Sequence, residues 1–258
     1  MERGPGNGVP VEGSGSLRAI ACFCLPTAVC SACSHSHQAT ASRTTSTTGL
    51  RRGAATGALR LWRNERGPGN LGGMDWSPPE PALCSADLLL RPFRDDDSFA
   101  VAAACADPAI GRFTFMKEGL TANEARAWIA QSNTLWTHGH PRFAVVDAKD
   151  DRLLGQVGMA VFEHYQSAEA FYWVMATDRQ RGVASTSLGL LADWAFEHGI
   201  ERLHLLVHPE NEASHRVAAR CGFTREGVLR AFERVKGHRP DVVSWSLLPG
   251  DPRPWHRP

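Results

Sequence analysis

Lysine, tyrosine and net charge are all scarce in this sequence. Its 258 residues include three lysines and two tyrosines, and the acidic residues nearly balance the basic ones to leave a formal net charge of +1. A nearly neutral chain gives no indication of nucleic-acid binding. No apolar run reaches about 18 residues, the length that marks a candidate membrane-spanning helix. We therefore expect neither nucleic acid nor a membrane among its partners.

Cysteine is sparse outside the first part of the chain. Four of the seven cysteines lie before residue 74, and the others are Cys84, Cys105 and Cys221. Three widely spaced cysteines do not form the even, closely spaced set of a disulfide framework. We therefore predict a protein of a reducing compartment and assign it to the cytoplasm.

The first 73 residues differ in composition from the rest. They contain eight basic and three acidic residues, a net charge of +5, whereas residues 74–258 contain 20 basic and 24 acidic residues, a net charge of −4. The segment is rich in Gly, Ser, Thr and Ala and shows little periodicity, so it has no means of burying a core. We predict a low-complexity extension over 1–73 that is disordered or absent from the working protein.

Three more specific hypotheses stay open for this extension. A zinc-linked interaction module is one, because Cys-x-x-Cys beside His is a zinc-ligand pattern, although no second ligand pair follows. Its candidate ligands are Cys22, Cys24, Cys30, Cys33, His35 and His37. A targeting segment is another, because residues 13–64 lack acidic residues and are rich in Arg, Ser and Thr. Synthesis from Met74 is the third, and would leave 185 residues, a size that suits one domain.

Helical and strand patterns begin after the extension. The run LLLRPF at 88–93 indicates a short strand, and one of the aspartates at 95–97 can cap a helix that ends near Pro108. Thr121 and Glu124 form a Thr-x-x-Glu capping box ahead of a second helix. These patterns predict a strand followed by two helices.

The hydrophobic period then changes from that of helices to that of strands. RFAVVDA and RLLGQVGMAVFEHYQ indicate two strands joined by the polar turn KDDR, and AEAFYWVMA indicates a third. Two helix–strand units follow, with a last strand after KGHRP. The order predicts an α+β domain at 74–250, with a mixed, mostly antiparallel sheet of about seven strands and helices on both faces. The proline-rich tail at 251–258 is predicted to be loose.

The stretch DRQRGVAS, residues 178–185, lies between a predicted strand and a predicted helix. A strand that enters a helix through a glycine turn leaves the first helical N–H groups unpaired, and the helix dipole adds partial positive charge there. Such a turn suits a pyrophosphate. Arg179 and Arg181 add full positive charge, and Gly182 lets the backbone approach a ligand. A charged turn that is only solvated is the alternative at this point.

Residues 88–248 resemble the GNAT acetyltransferases, and in particular the branch of the RimJ/RimL ribosomal-protein N-terminal acetyltransferases. The resemblance rests on three motifs in order, R/Q-x-x-G-x-G/A, N-x-x-S/A and a G-F pair. They fall on Arg179, Gly182, Ala184, Asn211, Ser214, Gly222 and Phe223. The resemblance implies the GNAT fold and acetyl-CoA as the co-substrate, with no metal.

The resemblance also implies where acetyl-CoA binds. The turn would hold the pyrophosphate, the strand before it would pair with the pantetheine arm, and strands 170–176 and 202–208 would splay apart to admit the thioester. The implied cofactor-binding residues are Val174, Met175, Arg179, Gln180, Arg181, Gly182, Val183, Ala184, Ser185 and Asn211. A backbone N–H of Val174 or Met175 is the predicted donor to the oxyanion of the reaction.

Two catalytic residues are implied in the same way. Many GNAT proteins carry a tyrosine four residues after the S/A position, but this chain has Ala218 there. Ser214 matches the serine that is proposed to assist the leaving thiolate in the Rim-type branch, and Glu233 matches its glutamate base. His204 and His208 are further candidates for the base, because their intrinsic pKa lies near neutrality. Ser214 can alternatively satisfy a backbone group at a helix start.

Together these residues predict transfer of an acetyl group from acetyl-CoA to a primary amine by direct attack on the thioester. The amine would be a peptide N-terminus or a small molecule, and the protein a monomer or homodimer. A weakly specified base favours an α-amine, whose pKa of about 8 is lower than the value of about 10.4 for lysine. The missing tyrosine leaves a catalytically silent acyl-CoA-binding domain as the alternative.

Overall fold

The computed structural model describes residues 75–232 and 234–256. The extension at 1–73 with its candidate zinc ligands, Met74 and Glu233 lie outside the described residues. The helices are α1 Ser98–Cys105, α2 Pro108–Phe113, α3 Ala122–Thr134, α4 Val183–Glu197 and α5 Glu212–Arg220. The strands are β1 Leu83–Cys84, β2 Leu88–Pro92, β3 Arg142–Asp147, β4 Leu153–Phe162, β5 Ser167–Val174, β6 Arg202–Val207, β7 Thr224–Leu229 and β8 Val242–Leu247.

The eight strands form one sheet in the order β1-β2-β3-β4-β5-β6-β8-β7. Every neighbouring pair is antiparallel except β5 and β6, which are parallel and connected through α4. The predicted α+β class and mostly antiparallel sheet are confirmed. The sheet has eight strands rather than about seven, because the two-residue β1 is too short to produce an alternating pattern.

Helices cover both faces of the sheet, as predicted. On one face, α4 and α5 pack on a core that includes Leu188, Leu191 and Leu203, all fully buried. On the other face, α1 and α3 enclose a second cluster that includes Val101 and Ile129. Successive strand residues alternate between the two clusters, because their side chains point to opposite sides of the sheet.

The two predicted helix starts have different outcomes. The capping box before α3 is confirmed, because Thr121 Oγ1 accepts from the Glu124 N–H and Glu124 Oε2 accepts from the Thr121 N–H (2.9 Å). For α1, the predicted position of an aspartate at the N-cap is right, but the predicted side-chain cap bond is absent. Asp97 stands at the N-cap of α1 but makes no side-chain cap bond to it. Its buried carboxylate instead accepts two hydrogen bonds from Arg91, at 2.8 and 3.0 Å.

Helix α2 was not predicted from the sequence. Asp107 caps it by accepting a hydrogen bond from the Ala109 N–H (2.8 Å), and Pro108 occupies its first position. Both residues are ordinary helix-start signals. Six residues are too few to show a helical hydrophobic period. Asp107 and Pro108 alone therefore did not lead to the prediction of a helix.

The C-terminal tail was predicted to be loose. In the structure it packs on α4 as far as Trp255. Trp255 Nε1 donates to Asp193 Oδ2 at 2.8 Å, and Arg253 pairs with Asp193 Oδ1 at 2.9 Å. The indole lies against Gly189 of α4, where a β-carbon would meet the ring at 3.0 Å. These contacts hold the segment on α4, so it is not loose.

Candidate active site

The site lies where two neighbouring strands of the sheet part. Parallel pairing of β5 and β6 is limited to three residue pairs, from Ser167 with Arg202 to Glu169 with His204. Beyond these pairs β5 continues to Val174 and β6 to Val207 without pairing to each other. The strands therefore open a cleft in the middle of the sheet, as the resemblance implied.

At the end of β5, the backbone N–H that faces this cleft is that of Val174 and not that of Met175. The Met175 N–H donates to the Leu154 carbonyl of β4 at 2.8 Å, so it is already used. Hydrogen-bonded and non-hydrogen-bonded pairs alternate along an antiparallel ladder, which turns the polar groups of Val174 away from β4. Consistently, the Val174 carbonyl accepts from Arg179 Nε at 3.2 Å. Because the Met175 N–H already has a partner, the Val174 N–H is the candidate oxyanion donor of the two.

The predicted pyrophosphate turn has the geometry of a helix start open to a ligand. Gly182 is the N-cap of α4 with φ of 82°, and Gln180 also has a positive φ of 63°. The Thr186 N–H donates back to the Gly182 carbonyl at 2.9 Å, so the amides before it lack intrahelical partners. The Ser185 hydroxyl donates to that same carbonyl at 2.9 Å, so it is committed to the turn.

The buried carboxylate of Asp178 fixes the turn through hydrogen bonds. Asp178 is 1% exposed and accepts two hydrogen bonds from Arg152, at 2.9 and 3.1 Å. It also accepts from Arg181 at 2.7 Å and from the Thr177 hydroxyl at 2.8 Å. The Arg152 hydrogen bonds are the main reason that the pKa of Asp178 lies below its usual value. Arg181, which was predicted to bind the phosphates, thus contacts this carboxylate in the structure.

Helix α2 spans the mouth of the cleft. At the β5 side, Asp107 at its N-terminus forms an ion pair with Arg179 of the turn. At the β6 side, Arg112 pairs with Glu210, and the Phe113 ring lies 5.5 Å from the His208 ring. Sequence reasoning missed this element, so it also missed Asp107 as the partner of Arg179.

Asn211 and Ser214 lie on the opposite wall, at the start of α5. Asn211 is the N-cap, and its side-chain oxygen accepts from the Ser214 N–H at 3.1 Å, which leaves its amide N–H groups for other partners. The Ser214 side chain is half-buried. Ala218, one turn after Ser214, is fully buried in the core.

The candidate bases have different surroundings. His204 is held at the point where β5 and β6 part, with Nε2 3.8 Å from Glu169 Oε2 and its ring stacked 6.1 Å from Phe162. His208 lies farther along, where its Nδ1 accepts from the Glu210 N–H at 3.3 Å. Glu233 falls outside the described residues. Over 75–232 and 234–256, no three His, Cys, Asp or Glu side chains are grouped to hold a metal ion.

Comparisons with known proteins agree on one family. The family described as "Acetyltransferase (GNAT) domain" matches residues 87–224. The uncharacterized N-acetyltransferase p20 of Bacillus licheniformis is 27% identical over 169 residues, which cover 64% of this chain and 95% of that protein.

Two solved structures share the fold. Mycobacterium smegmatis RimJ in complex with CoA-disulfide is 25% identical, with a TM-score of 0.54 over 63% of this chain and 82% of that chain. The ribosomal L7/L12 alpha-N-protein acetyltransferase RimL is 22% identical, with a TM-score of 0.57 over 65% of this chain and 93% of that chain. Within the described part of the chain, none of the helices has the length and apolar character to cross a bilayer.

Proposed function

We propose that this chain, which belongs to the GNAT acetyltransferase family, transfers the acetyl group of acetyl-CoA to a primary amine at a peptide N-terminus. The observation that carries the proposal is the juxtaposition of the open amide turn at Gly182 with the parted strands β5 and β6. A helix N-terminus suits a pyrophosphate, and a cleft between strands admits the thioester arm.

The turn would bind acetyl-CoA mainly through its backbone amides, with side chains adding further contacts. The amides at 183–185 would meet the pyrophosphate, with Gln180 beside them. Arg179 would reach it after exchanging its contacts with Asp107 and the Val174 carbonyl for phosphate oxygens. The vacated Val174 carbonyl would then be free to pair with the pantetheine arm.

Acetyl transfer would proceed by direct attack of a neutral amine on the thioester carbon. The Val174 N–H points into the cleft and would donate to the developing oxyanion. Ser214 on the opposite wall would donate a hydrogen bond to the departing sulfur, while Asn211 would contact the cofactor with its amide N–H groups. We propose Glu233 as the base that takes the proton from the amine, as the resemblance implies.

We propose a peptide α-amine, rather than a small-molecule amine, as the acceptor. Its pKa of about 8 leaves a useful neutral fraction at physiological pH, so it needs a weaker base than the amine of lysine. The relative RimL, by its description, acts on the alpha-amine of a ribosomal protein. We propose a cytoplasmic enzyme, working as a monomer or homodimer.

Binding and thiol release test this proposal separately. Acetyl-CoA at 100 times its Kd should stabilise the fold by about 2.7 kcal/mol, seen as a rise in the thermal unfolding midpoint. Arg179→Ala should weaken binding, whereas Arg126→Ala, on the exposed surface of α3, should not. CoA thiol should appear with a panel of N-terminal peptides. Binding without thiol release from any amine would contradict the acetyltransferase function.

A further inference from the structure

His208 lies at the wide end of the cleft between β5 and β6. It is the residue that follows β6, and its side chain is half-buried. The parallel register of β5 and β6, continued beyond its last pair, brings His208 level with Trp173. Trp173 precedes Val174, whose N–H is the candidate oxyanion donor. His208 therefore lies across the cleft from the backbone that would hold the reacting carbonyl.

The His208 side chain lies on the side of the sheet away from the proposed cofactor site. Along β6, Leu203 and Leu205 belong to the core under α4 and α5, so strand alternation turns His208 to the other face. Its ring contacts Phe113 of α2, a helix whose Ile110 belongs to the cluster on that other face. Acetyl-CoA, held at the N-termini of α4 and α5, would enter the cleft from their face. The amine must then approach from the face of His208.

Hydrogen bonds within one short turn fix the tautomer of His208. The Asn211 N–H donates to the His208 carbonyl at 2.8 Å, and the Glu210 N–H donates to His208 Nδ1 at 3.3 Å. A ring nitrogen that accepts from an N–H carries no proton itself, so the proton of the neutral ring is on Nε2. Nε2 has no hydrogen-bond partner in the part of the chain that the structure describes. His208 therefore presents an N–H donor rather than a basic lone pair.

Helix α2 fixes the orientation of this donor. Arg112 pairs with Glu210, the residue whose N–H binds Nδ1. The Phe113 ring lies 5.5 Å from the imidazole and is inclined to it by 52°. One contact of α2 thus acts on the turn and the other on the ring itself. The Nε2–H is held in one direction before any acceptor arrives.

We propose that His208 selects a peptide α-amine by donating a hydrogen bond from Nε2 to the first peptide carbonyl of the acceptor. The inference rests on the proposed function. In a peptide N-terminus this carbonyl is attached to the carbon that carries the amine, so an amine at the thioester brings the carbonyl oxygen with it. The side-chain amine of a lysine has no carbonyl at that position. A site that is built to hydrogen-bond a substrate group discriminates against an analogue that lacks it.

His208→Phe tests the role because it keeps a ring against Phe113 and removes the donor. With the N-terminal peptide that releases the most CoA thiol, kcat/KM should fall about three- to tenfold, the range of one neutral hydrogen bond. The Kd for acetyl-CoA and the thermal unfolding midpoint should not change. His208→Gln should retain most of the activity, because its amide nitrogen can donate from the place of Nε2. His164→Phe is the matched control, since His164 is exposed at the opposite end of β5 from the cleft, and it should change nothing.

A modified acceptor shows whether His208 acts on the carbonyl itself. Replacing the first carbonyl oxygen of the same peptide by sulfur weakens that hydrogen-bond acceptor. Wild type should lose several-fold in kcat/KM on this replacement, whereas His208→Phe should lose little more than it has already lost. Equal losses in the two proteins would overturn the inference.

The tautomer can be measured without turnover. Nitrogen NMR of the labelled imidazoles, with His208 assigned by comparison with His208→Phe, should show the proton on Nε2 in the free protein. A proton on Nδ1 would overturn the inference, and so would a loss in His208→Phe that appears in the Kd for acetyl-CoA. Wild-type protein that binds acetyl-CoA but acetylates no peptide would refute the proposed function, and the inference with it. Wild-type turnover of peptides with an unaffected His208→Phe variant would refute the inference alone.

Discussion

Replacing Asp178 by asparagine should destabilise the fold through the turn that precedes α4. Asp178 is 1% exposed, and its carboxylate accepts from Arg152, Arg181 and Thr177. Asparagine keeps the size of the side chain but removes the charge and one acceptor oxygen. The two arginines would then lose a common anion, and the segment between β5 and α4 would lose its anchor.

The expected loss in the free energy of unfolding depends on how buried Asp178 and its two arginine partners are. Breaking a fully buried ion pair costs about 3–5 kcal/mol. The side chains of Arg152 and Arg181 are 46% and 58% exposed, so water can hydrate them after the substitution. We therefore expect a loss of about 2 kcal/mol in the free energy of unfolding. For a domain of this size that corresponds to a fall of about 4–8 °C in Tm.

The pH dependence gives a second, independent check. The pKa of Asp178 is lowered in the folded protein, so its contribution to stability is fully present above the unfolded value of about 3.9. That contribution disappears as the pH falls through the lowered folded value. The difference between wild type and Asp178→Asn should therefore persist at pH 7 and 5 and narrow toward pH 3 and below.

Urea unfolding followed by tryptophan fluorescence measures these differences. Asp96→Asn is the control, because Asp96 is exposed and stands in a short turn before α1. Its effect should stay within about 0.5 kcal/mol. Equal stability of wild type and Asp178→Asn at pH 7 would refute the reasoning. So would a difference that does not narrow in acid.

Two other changes test the turn itself. Asp107→Asn keeps a good helix cap for α2 but removes the ion pair with Arg179, so acetyl-CoA should bind about two- to fivefold more tightly by calorimetry. An unchanged or weaker Kd would show that this ion pair does not compete with the cofactor. Gly182→Ala should cost about 1–2 kcal/mol in urea unfolding, because φ is 82° while an added β-carbon meets nothing closer than 4.0 Å. An unchanged free energy of unfolding would mean that the turn relaxes around alanine. Gly182→Asn should lower the free energy of unfolding less than Gly182→Ala does.

Local patterns were sufficient to predict most of the fold. The change from helical to alternating hydrophobic period located α3, β3, β4 and β5, and the capping box fixed the start of α3. The strand–turn–helix signal at 178–185 located the open amides of α4. These predictions succeed because helix caps, strand alternation and glycine turns depend on residues within a few positions of one another. The motifs around Asn211 and Ser214 likewise predicted the start of α5.

The contacts of the candidate site were decided by the tertiary structure. The pairing register of β4 and β5 uses the Met175 N–H and leaves that of Val174 for the cleft. The meeting of α2 with the turn before α4 brings Asp107 to Arg179, two residues 72 positions apart in the sequence. Such pairings depend on register and on helix packing over long sequence separations, which local patterns do not specify. Local residue patterns indicated where an anion could be bound, because a glycine turn before a helix is a local feature. Strand register set which backbone groups face the cleft.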